Sequence, residues 1–461
     1  MLYRDGEMDH PLFTTAEGIR RLERELLPGW IKERRWFAGK ARSISGLRIV
    51  QQISLGPARI LAVEVYDPQG NTETYAIPLA VSENPITESI IAPLGDEILF
   101  DAAFDPAFQK SLLQLMYTDD VPAGFEIETG SILSENISTE SKLFGGEQSN
   151  SAIIYGDRIF VKLYRKLSAG KNPDGELTRF LSEEAGFPHV APFAGSVAWN
   201  NASLALATGM VGNRGDAWTL ALQECETGLT VEWKKRMESL GRITGGMHLA
   251  LATWDPEPFR EADGEKVGSG IESLSGKMAE MLKERGDSLP PQIRGLAEKA
   301  SALSSRLRVE ITSLSGRKIR THGDYHLGQV LDTGDDFVII DFEGEPSRSL
   351  EERRAKYVPQ RDVAGMLRSI HYAAHASAKL KGGVDADHTE SWAGESQDHF
   401  LGGWEAAISG SVLETESSLS FLRLYLLEKA LYEVIYELNH RPDWLEIPLR
   451  GLISLFESPD A

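Results

Sequence analysis

Residues 318–346 read KIRTHGDYHLGQVLDTGDDFVIIDFEGEP. A His-Gly-Asp-x-His turn opens the stretch, and Gln329 follows five residues after Asp324. The run beyond it predicts a hairpin whose second strand, FVIID, ends in an acidic cluster. Phosphoryl transfer to an alcohol asks for a carboxylate at the attacking hydroxyl, oxygen ligands for a hard divalent cation, and a cation on the phosphates. Asp324 suits the first role, and Gln329 and Asp341 suit the second. The spacing from Asp324 to Gln329 is that of a D-x-x-x-x-N catalytic loop. Singly, each residue has an ordinary reading: a turn residue, a solvent-facing amide, a strand-end cap. Their joint placement points to chemistry. His322 and His326 flank Asp324 with no third soft ligand nearby, so they are expected to orient the loop rather than hold zinc.

The missing cation is expected upstream. FEIETGSILSENISTESKLFGGEQSNSAIIYGDRIFVKLYRKL reads as consecutive antiparallel strands, with Lys162 mid-strand between Val161 and Leu163. A lysine there needs a partner or a function. A helix follows the loop SAGKNPDGE, and Glu176 at its start is the expected partner. Ser149, Asn150 and Ser151 lie one hairpin earlier, where hydroxyls and backbone N–H groups could meet phosphate oxygens. The strand ending at Thr208, Gly209, Met210 and Val211 is expected to present backbone groups to adenine.

The rest of the chain supplies scaffolding. Segments 47–66 and 72–82 alternate as strands, and Phe104, Phe108, Leu112 and Leu115 mark an amphipathic helix. WIKERRWFAGKAR interleaves rings and cations; it reads as a helix end with aromatics in the core and cations in water. The net charge of −21 argues against broad nucleic-acid or anionic-membrane binding. Beyond residue 212 the pattern turns helical. His248 lies on an apolar face with Leu240, Ile243, Met247 and Leu251, as a satisfied core histidine would. Residues 253–292, rich in Gly, Pro and charge, read as a surface excursion. The expected division is 1–100, a sheet-plus-helix cap; 101–211, a small β-rich lobe; and 212–461, a large helical lobe. The fold class is α+β. The single cysteine, Cys225, allows no intrachain disulfide and suits a reducing cytoplasm, with a buried inert thiol expected. The N-terminus lacks an apolar signal-peptide core, and no run of about 18 apolar residues predicts a membrane span.

These segments resemble the bacterial maltokinases, in the aminoglycoside-phosphotransferase-like branch of the eukaryotic-type protein-kinase-like fold. The likeness rests on WIKERRWFAGKAR, GEQSNSAIIYGDRIFVKLYRKLSAGKNPDGE, RTHGDYHLGQVL and IIDFEGEPSRSLEERRAKYVPQRDVAGMLRSIHYAA, which together span nearly the whole chain. The resemblance implies a bilobal kinase with an N-terminal cap, using ATP and Mg²⁺ to phosphorylate maltose at its anomeric hydroxyl, in a route to α-glucan. It implies Asp324 as base, Gln329 and Asp341 as Mg²⁺ ligands, Lys162 with Glu176 at the phosphates, and Ser149 to Ser151 as the phosphate loop. His322, His326, Arg353 and Tyr372 are the implied candidates for the sugar, and the cap could dock a trehalose synthase. Two features depart from the family's wording: Tyr325 stands where Leu is common, and KYVPQRD replaces a Ser-Pro-Leu-Arg-Asp pattern. Both are expected near the sugar, which makes glucosamine or another monosaccharide or amino sugar the main alternative acceptor.

Two readings from other classes compete. A pseudokinase or regulatory binding module would have lost the base or a metal ligand, yet every expected polar element is present. A metal-dependent hydrolase would have no use for Lys162 with Glu176.

Overall fold

The computed structural model describes residues 10–37, 43–133, 137–144, 150–285, 291–381 and 386–457. The chain divides into two compact units: Met1–Arg179 with Ala191–Met210, and Phe180–Val190 with Val211–Ala461. Among the described residues, no helix is long and apolar enough to cross a membrane.

The first unit begins with the short helices α1 (Pro11–Thr14), α2 (Ala16–Arg21) and α3 (Leu27–Lys32). The Thr15 hydroxyl caps α2 by accepting the Gly18 N–H. Strands β1 (Gly46–Leu55), β2 (Ala58–Tyr66), β3 (Thr72–Ser82), β4 (Ile90–Leu94) and β5 (Glu97–Asp101) pair antiparallel in the order β1-β2-β3-β5-β4. Strict alternation covers this sheet on both faces. Leu61, Val63, Tyr75 and Ile77 pack with Trp30, Ile31, Trp36 and Phe37. Ile60, Ala62 and Ala76 point the other way, toward Phe108 and Leu112 of α4 (Pro106–Leu115). The rings of the basic-aromatic segment are thus buried while Lys32 and Arg35 are exposed; Lys40 and Arg42 lie outside the described residues.

A second antiparallel sheet follows: β6 (Phe125–Thr129), β7 (Ser141–Leu143), β8 (Ser151–Tyr155) and β9 (Ile159–Leu163), then β11 (Phe193–Trp199) and β12 (Ala202–Gly209), in the order β6-β11-β12-β9-β8-β7. Ile153, Tyr155, Val161 and Leu163 share one core with Phe108 and Leu112. The Tyr155 hydroxyl also donates to the Gln109 carbonyl at 2.6 Å. Helix α4 therefore joins both sheets through one hydrophobic core, across the position near residue 100 where the sequence suggested a boundary.

The polypeptide itself ties the sheets together as well. After β9 the chain forms β10 (Lys166–Leu167), which pairs with Tyr75 and Thr74 of β3. The preceding Arg165 is 0% exposed. It donates to both oxygens of Asp101, at 2.8 and 3.1 Å, and to the Ser151 hydroxyl at 2.9 Å. Its guanidinium also lies 5.2 Å from the Trp36 ring centroid. Helix α5 (Pro173–Arg179) completes the elements of this unit.

The second unit holds α6 (Ala217–Thr227), α7 (Val231–Leu251), α8 (Glu261–Arg285) and α9 (Pro291–Ile311). The two-residue strands β13 (Glu257–Pro258) and β14 (Arg317–Lys318) pair beside them. The hairpin β15 (Val330–Asp332) and β16 (Phe337–Ile339) forms in the opening stretch of sequence as expected. Then come α10 (Leu350–Arg354), α11 (Gln360–Lys381), α12 (Ala386–Ile408), α13 (Ser418–His440) and α14 (Glu446–Glu457). The expected excursion over 253–292 is mostly the long helix α8. Its Gly and charge content hid a stripe in which Ile271, Met278 and Leu282 recur at helical spacing and are buried. Cys225 is buried on α6, where burial pushes its thiol pKa up, as an inert thiol requires.

Removing one partner of the Arg165–Asp101 pair leaves a buried charge uncompensated, at a cost of about 3–5 kcal/mol. Asp101→Asn is expected to lower the urea midpoint accordingly. Adding Arg165→Met to that variant should recover part of the loss.

Candidate active site

In the first unit, β9 places Lys162 by alternation. Ile159, Val161 and Leu163 enter the core, so Phe160 and Lys162 face the other side. Lys162 pairs across the sheet with Ala152 and Leu206, so it sits on an interior strand. Its ammonium lies 2.7 Å from Asp174 Oδ2, and the Tyr164 hydroxyl donates to the same oxygen at 3.1 Å. Asp174 is 2% exposed. It sits in the first turn of α5, where the helix dipole favours a carboxylate, and its N–H bonds the Asn172 side chain. Glu176, the partner expected from the sequence, stands in the same first turn, two residues further along.

Of the expected phosphate loop, Ser149 lies outside the described residues and Asn150 is half-buried. The Ser151 hydroxyl accepts from Arg165 and so belongs partly to the join between the sheets. At the end of β12, the Gly209 N–H donates to Pro192 O and the Met210 N–H to Arg158 O, each at 2.7 Å. A base bound beside Thr208 to Val211 would not use those two donors.

In the second unit, the catalytic-loop candidate is held from below by a carboxylate. Asp362, on the first turn of α11, accepts the His322 N–H at 2.8 Å and the Gly323 N–H at 2.9 Å. His248 Nε2 lies 3.2 Å from the same side chain. Trp404 Nε1, which can only donate, bonds His248 Nδ1 at 3.0 Å. The His248 proton therefore sits on Nε2 and points at Asp362. Burial alone would raise the Asp362 pKa, but His248, His322 and the Gly323 N–H outweigh it and hold it below the ordinary aspartate value. Gly323 takes φ +84°, which turns the chain tightly over this anion. Gly365 lets α11 approach: a Cβ there would lie 2.6 Å from the Tyr325 carbonyl oxygen.

Tyr325 does not face a substrate. It is 2% exposed, and its hydroxyl lies 2.8 Å from Thr244 Oγ1 on α7. Because Thr244 donates to the Leu240 carbonyl, Tyr325 is the donor in that contact. The expectation that Tyr325 bears on sugar choice is therefore corrected, since the larger ring serves as an anchor. His322 is 1% exposed; its Nε2 lies 3.0 Å from the Ile340 carbonyl, and its ring packs on Tyr325 and Phe342. That surrounding makes it a positioning group, in place of the sugar contact suggested for it.

Above this base the polar groups converge. The Asp324 carboxylate is 19% exposed and lies 3.4 Å from Lys429 Nζ on α13. Lys429 also lies 3.7 Å from Glu345. Burial would lower the Lys429 pKa, but Asp324, Glu345 and Glu433 raise it overall, so the ammonium stays charged. Lys429 was not found from sequence, because 105 positions separate it from Asp324 and nothing local marks it. His326 Nδ1 accepts the Gly328 N–H at 3.1 Å, which leaves Nε2 toward Asp324 at 4.0 Å. Burial lowers the His326 pKa more than Asp324 raises it, so the ring is neutral.

Gln329 and Asp341 stand at the base of the β15–β16 hairpin. The Ile340 N–H bonds the Gln329 carbonyl at 3.0 Å, and Gln329 Nε2 donates to Asp341 Oδ2 at 2.9 Å. Asp341 takes φ +68°, a left-handed conformation that aspartate tolerates better than most residues. Two oxygen-bearing side chains at one hairpin base fit a hard divalent cation. Arg353 on α10 donates to the Glu343 carbonyl at 3.1 Å, which places it at the loop after Asp341. Tyr372 instead donates to Glu437 at 2.7 Å and stacks on Trp444. Its hydroxyl is thus engaged within the helical core.

Residues 30–105 match the maltokinase N-terminal cap domain family. The N-terminal sheet is similar to that cap domain. The chain is 28% identical over 223 residues to a glucosamine kinase of Streptacidiphilus jiangxiensis, covering 47% of this chain and 48% of the relative. That match spans about half the relative's length. A glucosamine kinase of Mycolicibacterium smegmatis is 24% identical over 333 residues, covering 68% of this chain and 78% of the relative. In structure, the chain resembles a glucosamine kinase solved with glucosamine, ADP and inorganic phosphate, with a TM-score of 0.66 at 19% identity. That likeness covers 93% of this chain and 99% of the other. The kinase-like fold is thereby shown. The maltokinase resemblance read from the sequence holds for the cap and for the fold.

Asp362 has a folded-state pKa below its unfolded value. It therefore contributes stability that is present above about pH 3.9 and is lost as pH falls through the folded pKa. Asp362→Asn is expected to cost about 1.5–3 kcal/mol at neutral pH. Urea midpoints of variant and wild type should hold a constant gap from pH 7 to about pH 4 and begin to draw together as the pH drops below about 3.9.

Proposed function

We propose that this protein is an ATP-dependent sugar kinase. The observation that carries the reading is the set Asp324, Gln329 and Asp341 on one loop and hairpin, over the buried Asp362 anchor. Asp324 accepts the proton of the attacking sugar hydroxyl. Lys429 pairs with that carboxylate and aims it, and the neutral His326 offers a donor beside it. Gln329 Nε2 bonds Asp341, so the Gln329 side-chain oxygen Oε1 and the Asp341 carboxylate are the atoms that would hold Mg²⁺. The ion would neutralise charge on the transferring phosphoryl group. Lys162, fixed by Asp174, is assigned to the ATP phosphates.

For the acceptor, glucosamine is the reading we favour. The relatives matched beyond the cap are named glucosamine kinases. The acidic residues Glu343 and Glu345 follow Asp341 closely, as a cationic amino sugar would suit. Maltose, transferred at its anomeric hydroxyl, is the second reading, favoured by the maltokinase cap. The cap residues 30–105 include none of the candidate catalytic groups, so that match weighs less on acceptor choice.

Asp324→Asn should keep the wild-type unfolding midpoint and lose about 10²–10⁴-fold in kcat. Unchanged turnover would remove Asp324 from the base role. Lys162→Ala should chiefly raise KM for ATP, measured by coupled ADP release. An ADP-release screen over glucosamine, maltose, glucose and aminoglycosides, with regiochemistry by phosphorus NMR, separates the acceptors; turnover of maltose alone would reverse our order.

A further inference from the structure

A second group of titratable side chains in the helical unit takes no part in the chemistry above. His371 and His375 stand one turn apart on α11, and Glu390 lies on α12. Their ligand atoms all fall within 4.8 Å of one another. The two imidazole centroids are 4.3 Å apart. His375 Nε2 approaches Glu390 Oε1 to 3.2 Å without hydrogen-bond alignment.

The burial makes this arrangement unusual. His371 is 5% exposed and His375 8%. Among the described residues, neither His371 nitrogen has a hydrogen-bond partner, and His375 Nε2 has none. A buried polar group left without a partner is costly, and a native structure has a reason for each one. Here three such nitrogens cluster beside one carboxylate. Arg368 and Arg450 act on His371 through space. The arginine charges are themselves balanced. Arg368 bonds Glu433 at 2.7 Å and Arg450 bonds Glu446 at 2.7 Å.

We propose that His371, His375 and Glu390 form a transition-metal site, filled by Zn²⁺, that staples α11 to α12. Two imidazoles with one carboxylate are a zinc donor set, whereas Mg²⁺ prefers oxygen ligands throughout. Ligand bonds of about 2.0–2.2 Å require the donors to close in. Glu390, with a side chain 49% exposed, has the freedom to do so. The fourth position opens toward solvent on the Glu390 side and takes a water. The two helices joined in this way carry Asp362 and Trp404, so the ion stiffens the frame beneath the catalytic loop and does no chemistry itself.

Untagged full-length protein, stripped with chelator and dialysed, should be titrated with Co²⁺ alone. The expected result is a visible d–d absorption that saturates at one equivalent and is displaced by Zn²⁺. One equivalent of Zn²⁺ should also raise the unfolding temperature. Glu390→Gln, a surface change that leaves the fold intact by circular dichroism, should weaken Co²⁺ binding at least about tenfold. His371→Gln should abolish the band. Asp341→Asn should leave the band as it is, which separates this site from the hairpin cation. Absence of a band at one equivalent, equal affinity in Glu390→Gln, or loss of the band in Asp341→Asn would each overturn the proposal.

Discussion

The candidate catalytic segment hangs on one buried anion. Asp362 receives two consecutive backbone N–H groups, those of His322 and Gly323, and a third bond from His248. Without that carboxylate these donors would be buried without partners, and the turn at Gly323 would have no reason to close. The anion in turn is stable only because the chain surrounds it with donors. Trp404 on α12 fixes the tautomer of His248 on α7, and His248 faces Asp362 on α11. Three helices thus meet at one hydrogen-bond chain. Tyr325 adds a second anchor through Thr244, on the same α7. The loop is rigid from below, so Asp324 projects from a fixed base, as preorganised catalysis requires.

A comparable device serves the first unit. Arg165 follows Lys162 by three residues and bridges to Asp101, at the end of strand β5. It also holds Ser151, at the start of β8. Burying a pair like this gains little net stability, because desolvation offsets the attraction. Its value is in registry. It fixes one alignment between β5, β8 and the chain leaving β9, while β10 adds itself to the cap sheet. With the shared core around Phe108 and Leu112, it makes the cap one body with the sheet that carries Lys162. The cap is thus structural support for the lysine strand, whatever else it binds.

What the sequence disclosed followed from local periodicity and local spacing. The alternation IFVKL put Lys162 opposite the core, and VLDTGDDFVI declared its own hairpin. The placement of Gln329 and Asp341 together at the base of that hairpin was readable for the same reason. His248 was readable as a satisfied core histidine, although its partners were not. The misses have two causes, distance along the chain and composition that hides a stripe. Lys429 sits 105 residues from Asp324, and no feature of YLLEKALYEV announces that it will reach a carboxylate. Helix α8 was mistaken for an excursion because its composition masked a sparse apolar stripe.

Tyr325 shows why acceptor choice is harder to read than reaction type. In sequence it lies next to Asp324, the proposed base, and an aromatic ring beside such an aspartate suggests a sugar platform. In a tight turn, however, neighbouring side chains point in opposite directions. Asp324 projects toward Lys429 and His326, so Tyr325 goes beneath, to Thr244. The groups around Asp324 come instead from elsewhere in the chain: Glu345 after the hairpin, and Lys429 and Tyr432 from α13. Tyr432 donates to Glu345 Oε1 at 3.1 Å, while Lys429 approaches the other oxygen, Oε2. A cationic amino group entering beside Glu345 would have to compete with an ammonium already there, whereas a neutral hydroxyl would only share it. Glu345 thus weighs for an amino sugar only to the extent that Lys429 stays committed to Asp324, and that balance is set by α13, which the motif segments do not include.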